Sequence, residues 1–400
     1  MKSVLQAVLL LSLAVPAFSA APGVDFDGAH SKSQSSGFTE SLSSLQVPVP
    51  SPGSNIDGSV VFEPRQGLSA PSGNSTPVAE TKILRITETG VAVEVPLEEA
   101  ADGKGYYKFK PNDLIEHKIW CPSQSGYWGL CYDYKFDPRF AGHNHTTNIP
   151  PYTWNGYPIP AHRCYSNIPV SNTMVFYFKA PEFATRADHT AQISGACYGP
   201  VSSIFDIKID GLVALPPAWS DSLHGGVTYY TLIGTTTHHP VGNHFGKPST
   251  ITSLQQIAWN YYLEFSTFSA FSRLEVNDMS LRWGGLFDIA GNWAPNHHEH
   301  RYGRQVDLRR IIWNSSGEMV FMPENQEKKL ITEACKFNVQ VLRENKDGRL
   351  TDPLLTRDWG SASTAPHFHL RFPLTGDATE NPLDIAPNLT NCKKFLSENY

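Results

Sequence analysis

Near the C-terminal end of the chain, Pro366-His-Phe-His-Leu-Arg-Phe372 alternates between apolar and polar side chains without a break. Period-2 alternation marks a strand, so His367, His369 and Arg371 share one face and Phe368, Leu370 and Phe372 the other. One face must enter a core while the opposite face presents two imidazoles. A second segment answers it: His300-Arg-Tyr-Gly-Arg-Gln-Val-Asp307, which reads H-x-x-G-x-x-x-D. Two histidines and an aspartate drawn from separate segments make a three-donor set that suits zinc and leaves a fourth position for water. That composition belongs to catalytic zinc sites rather than to closed structural ones. A histidine-rich loop or an adventitious metal site is the plainer alternative, since His297 and His298 also crowd against His300.

The remainder of the sequence sets bounds. Its 400 residues leave room for about two domains and a tail. Residues 1–21 read as a signal peptide, with Lys2 as the charged start, an apolar run from Val4 to Val15, and Ala17-Phe-Ser19 as the cleavage pattern. That run is too short for a membrane span and no other stretch is long enough, so a secreted or periplasmic protein without a transmembrane segment is expected. Six cysteines in an exported chain should pair as disulfides, and none forms C-x-x-C. Local pairing would join Cys121 to Cys131, Cys164 to Cys197, and Cys335 to Cys392. A net charge of -6 with no basic cluster argues against nucleic acid as a partner.

Residues 22–80 are rich in Ser, Pro and Gly and show neither helical nor strand period, which reads as a disordered linker or propeptide. From residue 81 to 220 the pattern is that of a β-rich, disulfide-containing and sandwich-like domain. Ile83–Ile86 and Val91–Val95 flank a Glu88-Thr-Gly90 turn, and Met174–Lys179 and Ile204–Ile209 are further strands. Trp120, Tyr127, Trp128, Tyr132, Tyr134, Tyr152, Trp154 and Tyr157 fall in the same region. Such rings either stack on sugars, giving a glycan contact, or cover a small core, and the second is the commoner use.

Residues 221–400 read as an α+β domain with helices on a small antiparallel sheet. Thr252-x-x-Gln255 is a capping-box signal before Leu254, Ile257, Ala258, Tyr261, Tyr262 and Phe265 at helical spacing. A second helix runs from Pro323 to about Lys336, followed by a strand through Phe337, Val339 and Val341 and a Lys346-Asp-Gly348 turn.

The paired motifs, H-x-x-G-x-x-x-D and then H-x-H within Pro366–Phe372, resemble the LAS zinc metallopeptidase family. That family includes penicillin-insensitive murein endopeptidases, D-Ala-D-Ala peptidases and the Hedgehog domain, and this sequence looks most like the murein endopeptidase branch. The resemblance spans residues 282–372, and 225–375 more loosely. It implies an α+β metallopeptidase domain with one zinc ion per chain held by His300, Asp307 and His369, and with His367 as general base. His297, three before the first ligand, matches a histidine that the murein branch places near the metal. The dipeptidase branch carries Glu three before its last ligand, where this chain has Pro366, which leaves His367 as the base. Arg282 is a candidate for holding a substrate carboxylate, and Asp288 for orienting a ligand histidine; an ordinary surface arginine and a turn residue are the plainer alternatives. The implied activity is hydrolysis of amide bonds in peptidoglycan cross-links or related short peptides. Two other classes remain open: a non-catalytic, Hedgehog-like zinc module, and a cell-wall or glycan-binding protein working through its β-rich half.

Overall fold

The Tyr127–Asp137 strand buries alternate side chains along its length, and Trp128, Leu130, Tyr132, Tyr134 and Phe136 all turn to one side. The computed structural model in which this is seen describes residues 60–64, 75–86, 91–99, 105–108, 113–154, 156–216, 227–234, 242–268, 270–288, 291–293, 300–344, 356–357, 367–374, 389, 392, 393 and 397. The segment read as a signal peptide, the turns expected at Glu88–Gly90 and Lys346–Gly348, and His297 lie outside the described residues. Within the tract read as a linker, Val60–Pro64 is a strand, and Val60 pairs with Phe176.

The rings of the Tyr127–Asp137 strand face a second sheet. Their own sheet runs His162–Pro169, Tyr127–Asp137, Thr185–Gly195, Gly199–Lys208, Gly105–Lys108, Leu97–Glu99. The opposing sheet is centred on Leu114–Trp120 and Asn172–Lys179, with Val78–Ile86 and Ala92–Val95 at one side. Between the sheets Tyr132 stacks on Phe176 with centroids 4.4 Å apart, and Tyr152 stacks on Phe178 at 4.7 Å. Burying rings of this size stabilises the sandwich by about 1.5–3 kcal/mol each. Most of the aromatic tract therefore forms or covers core, although Tyr127 and Tyr157 are exposed.

The cysteines pair differently from the local scheme, except for Cys335–Cys392. Cys121 bonds Cys197 and Cys131 bonds Cys164. Sheet register explains the change. Cys131 and Cys164 lie directly opposite each other on neighbouring antiparallel strands. Cys121 and Cys197 follow strands of the two different sheets, so their bond ties the sheets together. No cysteine is left free, and three disulfides fit an oxidising compartment. No helix among the described residues is long and apolar enough to cross a membrane.

Beyond residue 221 the expectation of an α+β domain, with helices on a small antiparallel sheet, is overturned. The described residues are 47% strand and 16% helix with just two α-helices, α1 (Pro248–Phe265) and α2 (Glu324–Lys336), so the fold is β-rich. The sheet here is neither small nor purely antiparallel. It has six strands in the order Tyr230–Leu232, Leu274–Val276, Gln305–Arg309, His367–Arg371, Gln340–Glu344, Thr356–Arg357, and its two outermost pairs are parallel. Two- and three-residue strands such as Phe245–Gly246 and Ile311–Trp313 add to the count. They are too short to show a period. The capping box also fails: α1 begins at Pro248 after Lys247, and the Thr252 hydroxyl donates to the Pro248 carbonyl inside the helix.

Leu254, Ile257, Ala258, Tyr261 and Phe265 of α1 share a core with Leu330, Ile331 and Ala334 of α2. Val306, Leu308, Phe368 and Leu370 of the sheet complete it. The helices thus cover one sheet face, and His367 and His369 lie on the other. The segment from Leu281 to Asp288 joins this unit to the sandwich. Leu286 belongs to the sandwich core, while the neighbouring Phe287 reaches the ring of His300 at 5.3 Å. Gly285 allows the join. Its φ is +74°, and a Cβ there would lie 2.6 Å from the backbone nitrogen of Ala184.

Candidate metal centre

Gln305–Arg309 pairs antiparallel with His367–Arg371, and the register sets Asp307 directly opposite His369. Because strand side chains alternate, Asp307, His367 and His369 occupy one face while Val306, Leu308, Phe368 and Leu370 fill the core behind them. His300 arrives from the turn before the strand. That turn depends on Gly303, whose φ is +70°. A Cβ there would lie 2.5 Å from Leu212 Cδ2 and 2.8 Å from the backbone Cα of Gly246. The glycine inside H-x-x-G-x-x-x-D is thus a close-approach position that lets the histidine fold back over the aspartate.

All four residues are buried, from 1% exposure at His300 to 8% at His367. The Nδ1–H of His300 donates to the Met279 carbonyl at 2.8 Å, which turns Nε2 toward Asp307 Oδ2 at 3.2 Å. His369 Nδ1 lies 2.8 Å from Asp307 Oδ1, and His367 Nε2 lies 3.6 Å from Asp307 Oδ2. Burial alone would raise the Asp307 carboxyl, but the imidazoles of His300, His367 and His369 outweigh it and hold the group well below the usual carboxylate range. An ionised carboxylate ringed by imidazoles is a nitrogen and oxygen donor set. One ligand atom each from His300, Asp307 and His369 all lie within 4.8 Å of one another, so the three fit a metal ion such as zinc. His367 stands beside this trio.

The other candidate residues are placed elsewhere. Asp288 is fully buried, but its carboxylate accepts from the backbone N–H of Trp293 and lies 3.3 Å from His145 Nε2. It does not orient His300; the Met279 carbonyl does. Arg282 is exposed beside Gly142 of the sandwich, whereas the cation sharing the sheet face with His369 is the buried Arg371. Sequence reasoning missed the strip from Asn277 to Met279. There Asn277 N–H donates to the Asp307 carbonyl and the Asp307 N–H donates to the Asp278 carbonyl, which pins the aspartate's backbone on the edge away from His369. These contacts use backbone atoms, which leave no mark in side-chain identity. Comparison with family models, curated proteins and solved structures finds no significant match to this chain.

Proposed function

We propose that this chain is an exported zinc peptidase that hydrolyses amide bonds in peptidoglycan cross-links or related short peptides. The observation that carries the reading is the meeting of His300, Asp307 and His369 with a fourth imidazole, His367, on the same sheet face and outside the trio. The match of these positions to the LAS motifs supports the substrate class. Bound zinc would polarise the scissile carbonyl and make water a nucleophile at neutral pH. His367 Nε2 takes the proton of the attacking water and returns it to the leaving amine, since an imidazole titrates where it can do both. Asp307 holds negative charge against three imidazoles, and the Met279 carbonyl fixes the ring of His300. The ring of Phe287, clustered with Leu281, packs beside His300.

Digestion of purified muropeptides by the zinc-loaded protein, with products identified by mass, tests the reading. Cleavage at a peptide cross-link that stops on chelation and resumes with zinc is the expected result. Stoichiometric zinc without cleavage of any muropeptide would make the protein a non-catalytic zinc module instead.

A further inference from the structure

A second cluster of chemistry-bearing side chains lies on the outer face of the sandwich. Strands Tyr127–Asp137 and His162–Pro169 are antiparallel neighbours, and their register stacks two cross-strand pairs: Asp133 opposite His162 and, two residues along, Cys131 opposite Cys164. Side chains two apart on a strand share a face, so the four form one square patch. Asp133 Oδ1 accepts from His162 Nδ1 at 2.7 Å, and His162 Nε2 lies 3.5 Å from Cys164 Sγ. The patch is open, with side-chain exposures of 63% for His162 and 48% for Asp133. Cys164 is exposed and Cys131 half-buried, whereas Cys121, Cys197, Cys335 and Cys392 are all buried.

From this arrangement we infer that Cys131–Cys164 is a thiol-exchange site, at which a small-molecule thiol is taken up as a mixed disulfide on Cys131. Disulfide exchange is an in-line attack by a thiolate on one sulfur with expulsion of the other. The sulfur beside the ring is the better leaving group, because the doubly protonated form of His162 gives Nδ1–H to Asp133 and turns its Nε2–H on Cys164 Sγ, and exchange proceeds through that form. Attack therefore falls on Cys131 Sγ. It comes from the side away from Cys164, over Gln192, the exposed residue opposite Cys131 on the next strand. The incoming thiolate's electron pair forms the new S–S bond to Cys131. The Cys131–Cys164 bond breaks with its pair leaving on Cys164, and His162 Nε2 supplies the proton. One thiol is consumed and one is produced, so no further oxidant or reductant is needed. Asp133 acts through His162 and is a positioning residue.

The test uses the full-length oxidised protein and reduced glutathione, with quenching by acid, alkylation under denaturing conditions and peptide mass analysis. The expected product carries glutathione on Cys131 and the alkylating group on Cys164, with the other two disulfides intact. In His162→Ala the exchange slows by about three- to tenfold, the effect of one to two pKa units on the leaving thiol at a Brønsted slope near 0.5. Asp133→Ala slows it likewise and Asp133→Glu, which can still accept from Nδ1, restores it. Thermal melts of the variants separate this from loss of fold. Glutathione found on Cys164, equal reactivity of all three disulfides, or a wild-type rate in His162→Ala would each overturn the inference.

Discussion

His367 lies two residues from His369 on the same strand face, 3.6 Å from the carboxylate that His300 and His369 share. If it moves the proton, His367→Ala should keep zinc and lose turnover by about 10²–10⁴-fold, the usual contribution of a general acid–base group. Metal content and melting temperature must be measured beside the rate, because joint loss of all three would point to a damaged site. The trio behaves differently. His300→Ala or His369→Ala removes one of three donors, so zinc should be lost on dialysis at concentrations where the wild-type protein keeps it; unchanged metal content in both variants refutes the assignment. These four residues were legible because their spacing is tied to strand geometry and to one tight turn. Asp288 was chosen for its carboxylate, yet the atom that orients His300 belongs to the backbone of Met279. No side-chain pattern could have pointed to that carbonyl.

Among the elements, the turn between His300 and Asp307 is the narrowest device. Gly303→Ala would place a methyl 2.8 Å from the Cα of Gly246 while φ stays near +70°. Backbone cannot yield as a flexible side chain can, so a loss of about 1–3 kcal/mol is expected together with weaker zinc retention. Zinc affinity and stability both at wild-type level would show the turn to be slack. Helix α2 is held by a buried pairing, Arg310 Nε at 2.7 Å and Arg343 Nη2 at 3.0 Å from the two oxygens of Glu327. Glu327→Gln removes the carboxylate between two guanidiniums and should cost about 3–5 kcal/mol in denaturant melts. Helix α1 was visible from apolar spacing, since Leu254, Ile257, Ala258, Tyr261 and Phe265 fall on one face, and α2 from Pro323 as a helix start. The mixed six-stranded sheet was not. Tyr230–Leu232 and Thr356–Arg357 are too short to alternate, and partners far apart in sequence decide whether they are strands at all.

Across the whole molecule, the sandwich is an unusual core because it buries histidines among its rings. His117 and His189 lie 5.2 Å apart, centroid to centroid, between the sheets, and both touch Tyr132. Thr81 and Tyr152 supply hydroxyls at 2.6 Å and 2.9 Å, which suit neutral imidazoles. Burial pushes His117 down to about 3, and burial with the neighbouring His117 pushes His189 well below its ordinary value. In the unfolded chain each titrates near 6.5. The unfolded state therefore binds protons that the folded state refuses, and stability must rise with pH through this window. It is fully present above about 6.5 and is lost as the pH falls toward 3, at about 1.4 kcal/mol per pH unit for each histidine. At pH 5 the loss should be about 2 kcal/mol each. Asp307 acts in the same direction, but only below its unfolded value of 3.8. His117→Asn keeps a polar partner for Thr81 and removes one titration. Chemical denaturation of both proteins from pH 7 to pH 5 should show the variant losing about 2 kcal/mol less than the wild type over that span. An identical pH slope in the two proteins would mean that His117 is protonated within the fold, and that the core between the sheets is wetter than its geometry shows.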